Sequence, residues 1–194
     1  MVHLVHGVGI NDRSISSQLN GKDTKEYALW HSMLKRCYSI TYLANNPTYI
    51  GCSVSDNFKY YHLFHAWCKT QIGFNAIGYD LDKDLLIKGN KLYSEDTCVF
   101  LPRSINSLLT KSTSARGIYP IGVKKSSKSN NFEAKCNIDG KPKYIGTYIT
   151  PELAFQAYKA AKEKYIKEQA EIYKDVIDPR AYLALLNYEV DIDD

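Results

Sequence analysis

Residues 118–158 read Ile-Tyr-Pro-Ile-Gly-Val-Lys-Lys-Ser-Ser-Lys-Ser-Asn-Asn-Phe-Glu-Ala-Lys-Cys-Asn-Ile-Asp-Gly-Lys-Pro-Lys-Tyr-Ile-Gly-Thr-Tyr-Ile-Thr-Pro-Glu-Leu-Ala-Phe-Gln-Ala-Tyr, and they decide the fold. Three runs rich in β-formers, 118–124, 131–138 and 143–148, are separated by a Ser/Asn loop and by Asp139-Gly140, a strong signal for a two-residue hairpin. Thr150-Pro151-Glu152 then supplies a hydroxyl cap, a proline for the first helical turn and an acid against the helix dipole. The helix that follows should reach about residue 174, with Ala154, Ala157, Tyr158, Ala161 and Tyr165 on one face. Small alanines let such a helix lie close against a sheet. The expectation is a three-stranded antiparallel sheet packed on one helix, in a chain of the α+β class.

Upstream the texture is helical. Residues 1–23 are polar and read as an arm. In 24–38, Tyr27, Trp30, Leu34 and Cys37 recur at the spacing of one helical face. Residues 40–56 are turn-rich, with a short strand expected within 49–54, and Asp56 or Asn57 can cap a second helix running to about Gln71. Residues 79–86 alternate apolar with acidic side chains and suit a half-buried strand. Residues 88–91 make a turn, 97–101 a second strand, and Pro102 suits the first position of a helix through Leu109. Residues 110–117 look like a linker. The expected organisation is therefore 1–109, the linker, 118–174, and a terminal segment 175–194 with a short helix over 179–187.

Composition narrows the function. The 194 residues are 44% hydrophobic, enough for a real core, and no apolar run approaches the length of a membrane span. The N-terminus lacks a signal peptide's pattern, so a soluble, cytoplasmic protein with no membrane partner is expected. Five cysteines without a Cys-x-x-Cys pair argue against a zinc ribbon or a disulfide framework, and read as small buried thiols. The net charge of +4 is modest, but its distribution is not even. Between Leu109 and Ile149 eight basic residues (Lys111, Arg116, Lys124, Lys125, Lys128, Lys135, Lys141, Lys143) face only Glu133 and Asp139. From Asp175 onward six acids face Arg180 alone, so the acidic tail could mimic DNA or screen the basic segment. A basic block inside a folded segment is the footprint of a nucleic-acid binder.

The pieces Gly122-Val123, Phe132, Ile145-Gly146-Thr147-Tyr148 and Ala154-x-x-Ala157-Tyr158 resemble the Apetala2-type DNA-binding domain, over about 60 residues. The resemblance implies a sheet lying in the major groove of double-stranded DNA with the helix packed behind it. By matching position, Lys124, Lys125, Phe132, Lys135, Asn137, Lys143 and Tyr144 would face the DNA. Plant members have arginines and tryptophans at several of these places; the lysines here suit phosphate contact better than bidentate reading of guanine.

Residues 79–109 resemble the ββα-metal unit of phage HNH homing endonucleases, in which an Apetala2-type module often follows the nuclease. The resemblance implies one Mg²⁺ or Mn²⁺ held by Asp82, Asp84 and Asn106, with the catalytic positions on Asp82, Lys83 and Asn106. The family's middle Asn falls near Asp96-Thr97, with Asn90 earlier in the loop. Host cytoplasm would be the setting for a phage-encoded chain. The family's histidine base falls on Lys83, and no histidine lies after His65. An ammonium cannot act as a general base at neutral pH without strong desolvation. Three outcomes follow: cleavage with water activated by the metal alone, a base supplied by His62 or His65, or a catalytically silent relative that regulates DNA or binds a host protein. Asp80, Asp82 and Asp84 would share one strand face and need either a cation or basic partners. His62 and His65, three apart on a helix, could touch one metal or simply pack; His3 and His6 read as arm residues. A small-molecule substrate is not expected.

Overall fold

The computed structural model describes residues 4–110 and 118–192, which divide into two units. The first comprises Met1–Arg103 and Val176–Ala181; the second comprises Ser104–Asp175 and Tyr182–Asp194. His3, Lys111 and Arg116, and most of the expected linker, lie outside the described residues.

The first unit opens with two short antiparallel strands, β1 (Gln18–Leu19) and β2 (Lys22–Asp23). They are joined by Asn20-Gly21, both at positive φ (52° and 73°), the backbone of a type I′ turn. Residues 1–23 are thus not a plain arm. Nor is the segment before the hairpin: Gly9 lies so close to Trp30 and Leu34 that any Cβ there would overlap both side chains. Helix α1 (Lys25–Tyr38) begins at Thr24, whose hydroxyl accepts from the Tyr27 amide. Its face of Trp30, Met33, Leu34 and Cys37 is buried, as the helical spacing requires. The segment read as turn-rich contains a further helix, α2 (Ile40–Asn45), capped by Ser39, before β3 (Ser53–Val54).

The second helix starts later than Asp56. Asp56 makes an ion pair with Lys59 and does not cap; a 3-10 turn over Asn57–Lys59 comes first, and α3 (Tyr61–Thr70) follows. The break at Tyr60 has a cause in the N-terminal segment. Ile10 donates its amide to Lys59 O and accepts from Tyr61 N, a parallel bridge that holds the backbone extended there. Against α1 and α3 the core gathers Phe58, Phe64, Cys68, Phe74, Cys98 and Phe100. Trp30 donates to Phe58 O (2.8 Å), so its indole is buried without an unsatisfied donor.

Strands β4 (Tyr79–Asp82), β5 (Leu92–Tyr93) and β6 (Val99–Pro102) follow, and α4 (Arg103–Leu109) begins at the division between the units. β4 and β6 are antiparallel, whereas β5 lies parallel to β3. β4 is shorter than the alternating pattern suggests, because Asp82 Oδ1 accepts from the amides of Asp84 and Leu85 and so turns the chain. Pro102 closes β6 and stands just before the helix, not inside it. The C-terminal Val176–Ala181 also belongs to this unit: Ile177 and Ala181 are buried, and Arg180 donates to Asp96 O (3.2 Å) while pairing with Asp178.

The second unit has the expected sheet, in the order β7 (Val123–Lys125), β8 (Phe132–Ile138), β9 (Lys141–Tyr148), antiparallel throughout. Asp139 and Gly140, at φ 52° and 70°, form the tight hairpin between β8 and β9. Helix α5 (Pro151–Tyr173) is capped by Thr150, which accepts from Leu153 N, and carries Pro151 in its first turn. Ala154, Phe155 and Tyr158 pack with Ala134 and Cys136 of the sheet. Helix α6 (Pro179–Leu186) ends the fold. All five cysteines are free and buried, as their spacing suggested, and burial raises the thiols of Cys37 and Cys98 to about 12. Among the described residues no helix is long and apolar enough to cross a membrane.

Candidate nucleic-acid interface

Register decides which side chains of the sheet can act together. In antiparallel pairs, opposed residues project to the same face. Lys124 opposes Glu133, Lys135 opposes Tyr144, and Asn137 opposes Pro142. Ala134 and Cys136, the alternate positions, are buried in the core formed with α5. Lys124, Glu133, Lys135, Asn137 and Tyr144 therefore form the outer face. A bulge at Ile145 keeps Thr147 on that face too, and Tyr144 Oη lies 2.6 Å from Thr147 Oγ1.

The other three residues expected there lie elsewhere. Lys125 opposes Phe132, and Lys143 opposes Cys136, so all three alternate to the side that carries α5. Phe132 packs against that core, with its ring 5.2 Å from Tyr119, while Lys125 sits over the Phe132 ring at 4.6 Å and donates to Asn130 O. The seven residues matched from the resemblance thus split four to three between the faces, because consecutive strand residues cannot point the same way.

The outer face is also less basic than the sequence segment. Glu133 Oε2 lies 3.5 Å from Lys124 Nζ and 3.3 Å from Lys135 Nζ, and Ser126 donates to its other oxygen. Partial burial pushes this carboxyl up, but the Lys135 and Ser126 hydrogen bonds and the two ammonium charges outweigh it, and the net shift is down. Glu133 stays ionised and offsets one of the two lysines.

In the first unit the acids of residues 80–84 have partners. Arg103 grips Asp80 through both oxygens (3.1 Å each). Asp82 holds its turn, and burial, reinforced by the charge of Asp84, raises its carboxyl despite the two amide bonds. Lys83 is buried, paired with Asp84, donates to Asn90 O (2.9 Å) and lies 5.6 Å from the Tyr93 ring centroid. Of the alternatives read from the sequence, Asp80 and Asp84 have basic partners and Asp82 has backbone amides. Asn90, in the turn expected over 88–91, pins the loop: its amide donates to Lys83 O and Leu92 O, and its Oδ1 accepts from Leu92 N. A side chain that can bridge the two ends of a loop was the available signal. Asn106 belongs to the second unit, where its backbone oxygen accepts from the Thr110 hydroxyl.

The helix histidines do not converge. His62 Nδ1 lies 3.0 Å from Asp12 Oδ2, off the line a hydrogen bond needs, and His65 faces buried Glu26 at 3.8 Å. Glu26 is held mainly by Lys69. His6, read as an arm residue, packs its ring 4.7 Å from His31. Among the described residues no group of three His, Cys, Asp or Glu is placed to hold a metal ion. No protein-family model, curated protein or solved structure matches this chain.

Proposed function

We propose that the second unit binds double-stranded DNA through the outer face of its sheet, gripping phosphates ahead of reading bases. The observation that carries this is the register, which brings Lys124, Lys135, Asn137 and Tyr144 onto one solvent-facing surface opposite α5. The lysine side chains are 59% and 40% exposed, so their ammonium groups can exchange Glu133 for phosphate oxygens. Asn137 and Tyr144 add donors beside them. The resemblance to Apetala2-type domains supports the same surface.

The antiparallel β4–β6 pair leading into α4 supports kinship with HNH-type nucleases, but not cleavage. The residues implied for Mg²⁺ or Mn²⁺ fit it poorly. Asp84 spends its charge on Lys83, and Asp82 sits where burial favours the neutral acid. Lys83, paired and buried, offers no free base. The reading is therefore a catalytically silent DNA-binding relative, whose regulatory target lies in the DNA or in a host protein.

Fluorescence anisotropy with a labelled duplex across a salt series tests it. Each of Lys124→Gln and Lys135→Gln should weaken binding and reduce the slope of log K against log salt by about 1. Glu133→Gln should tighten binding, since it frees both lysines. Unchanged slopes in the lysine variants would place the DNA contact elsewhere. Plasmid incubated with Mg²⁺ or Mn²⁺ should stay intact; cutting that is lost in Asp82→Ala or Asn106→Ala would restore the nuclease reading.

A further inference from the structure

β7 covers only half of β8. The last contact on that edge is Lys135 N donating to Gly122 O (2.8 Å), and beyond it Asp139 N donates to Tyr165 Oη of α5 (3.1 Å). Backbone groups alternate edges along a strand, so the Asn137 amide between these two points to the uncovered edge. A cavity of about 650 Å³ opens there, within the range of ligand sites. Its wall includes Gly122, Asn137, Tyr158, Lys162, Tyr165 and Gln169.

Lys162 is the unusual group. Burial depresses its ammonium, and the one ionisable neighbour that acts on it is the buried Cys136 thiol. Among the described residues no carboxylate lies within ion-pairing distance of it, although α5 pairs Lys159 with Glu163 and Lys164 with Glu168. A half-buried cation without a counter-ion is costly, and it selects for an anionic ligand. Asp139, the acid in the wall, has its carboxylate engaged by the Tyr165 hydroxyl (3.0 Å). Lys135, whose ammonium faces Glu133, also lines the cavity, and the Asn137 amide on the open edge, Gln169 and Ser107 are among the donors that a tetrahedral oxyanion can accept from several sides at once.

We propose that this cavity binds a phosphate group, held by Lys162 with the Asn137 edge amide. The group could be free phosphate or the terminal phosphate of a DNA strand. The cavity borders the outer sheet face, with which it shares Lys135 and Asn137, but it is centred on Lys162 of α5, and the inference stands whether or not that face binds duplex.

Calorimetry of the full chain at constant ionic strength tests it, with inorganic phosphate and with matched duplexes bearing 5′-phosphate or 5′-hydroxyl. Wild type should bind phosphate saturably, Lys162→Gln about tenfold or more weakly, and Lys162→Arg with affinity largely kept. Lys124→Gln should bind phosphate as wild type does, because Lys124 does not line the cavity, and this separates the cavity from the Lys124 end of the sheet face. A preference for the 5′-phosphorylated duplex that vanishes in Lys162→Gln assigns the group to a DNA end; inorganic phosphate bound without that preference assigns it to the free ion. In the free protein the Lys162 amine, followed by NMR, should titrate low and move up when phosphate is added. Absence of saturable binding by any of the three probes, or equal binding by Lys162→Gln, overturns the proposal.

Discussion

Replacing Gly122 with alanine should damage the second unit through two separable effects. Gly122 sits at φ +76°, where a side chain costs about 1–2 kcal/mol through the clash of Cβ with the carbonyl oxygen. A Cβ there would also overlap the Tyr158 ring, and forcing such an overlap into a packed core costs about 1–3 kcal/mol more. The total is about 2–5 kcal/mol, a large part of what a small unit has to lose. Gly140 supplies the control. Its φ of +70° is similar, but nothing lies within 4 Å of its would-be Cβ, so Gly140→Ala should incur the backbone cost alone. Amide hydrogen exchange read on β8 and β9 reports this unit selectively. Protection in Gly122→Ala should fall below that in Gly140→Ala by about 5- to 150-fold, the equivalent of 1–3 kcal/mol. In a Tyr158→Ala background, itself destabilised by loss of a core ring, the further cost of Gly122→Ala should shrink to the backbone cost alone. Equal protection in the two glycine variants would show that the Tyr158 contact does not constrain the turn.

Two further expectations concern the first unit, whose stability Trp30 and Trp67 report by fluorescence in urea. Glu26 is buried, and although burial raises its carboxyl, the Lys69 hydrogen bond and the charges of Lys69 and His65 lower it on balance. A depressed carboxyl stabilises above the unfolded value of about 4.3 and loses that contribution as pH falls through the folded value. Glu26→Gln should therefore lower stability at pH 7 by about 1–2 kcal/mol, discounted because Lys69 is half exposed, with the gap closing in acid; a gap independent of pH would refute the pairing. Asp82 has the opposite sign. Its carboxyl is raised by burial, so charging it costs stability once pH exceeds the unfolded value of about 3.9. Asp82→Asn should raise the urea midpoint at pH 7 and match wild type at low pH, and a lower midpoint at pH 7 would mean that the charge is needed.

What the sequence revealed is what local chemistry controls. Thr150-Pro151-Glu152 fixed the start of α5, and Asp139-Gly140 the hairpin, because capping and positive φ depend on neighbours in the chain. The same rule would have found the Asn20-Gly21 hairpin, but the polar residues around it masked it as an arm. Pairings across long separations were not legible. β5 finds β3 some 40 residues earlier through a two-residue parallel ladder, too short to leave a pattern. The candidate interface was half legible: its basic residues stood out, but their division between two faces depends on register and on the bulge at Ile145. The tethering of Lys83 needed the fold, since Asn90 reaches it only once the loop closes.

The return of Val176–Ala181 to the first unit bears on how the protein is made. On the ribosome the residues up to Arg103 emerge first, yet Ile177 and Ala181 come only after the whole of β7, β8, β9 and α5. The first unit cannot finish its core, nor anchor the Asp96 carbonyl to Arg180, until the second has been synthesised. Unit order in the chain is thus not order of completion. The N-terminal unit stays partly unfinished until the residues from Ser104 to Asp175 have been made, and a chain released early would carry the sheet while the core of the first unit was still open.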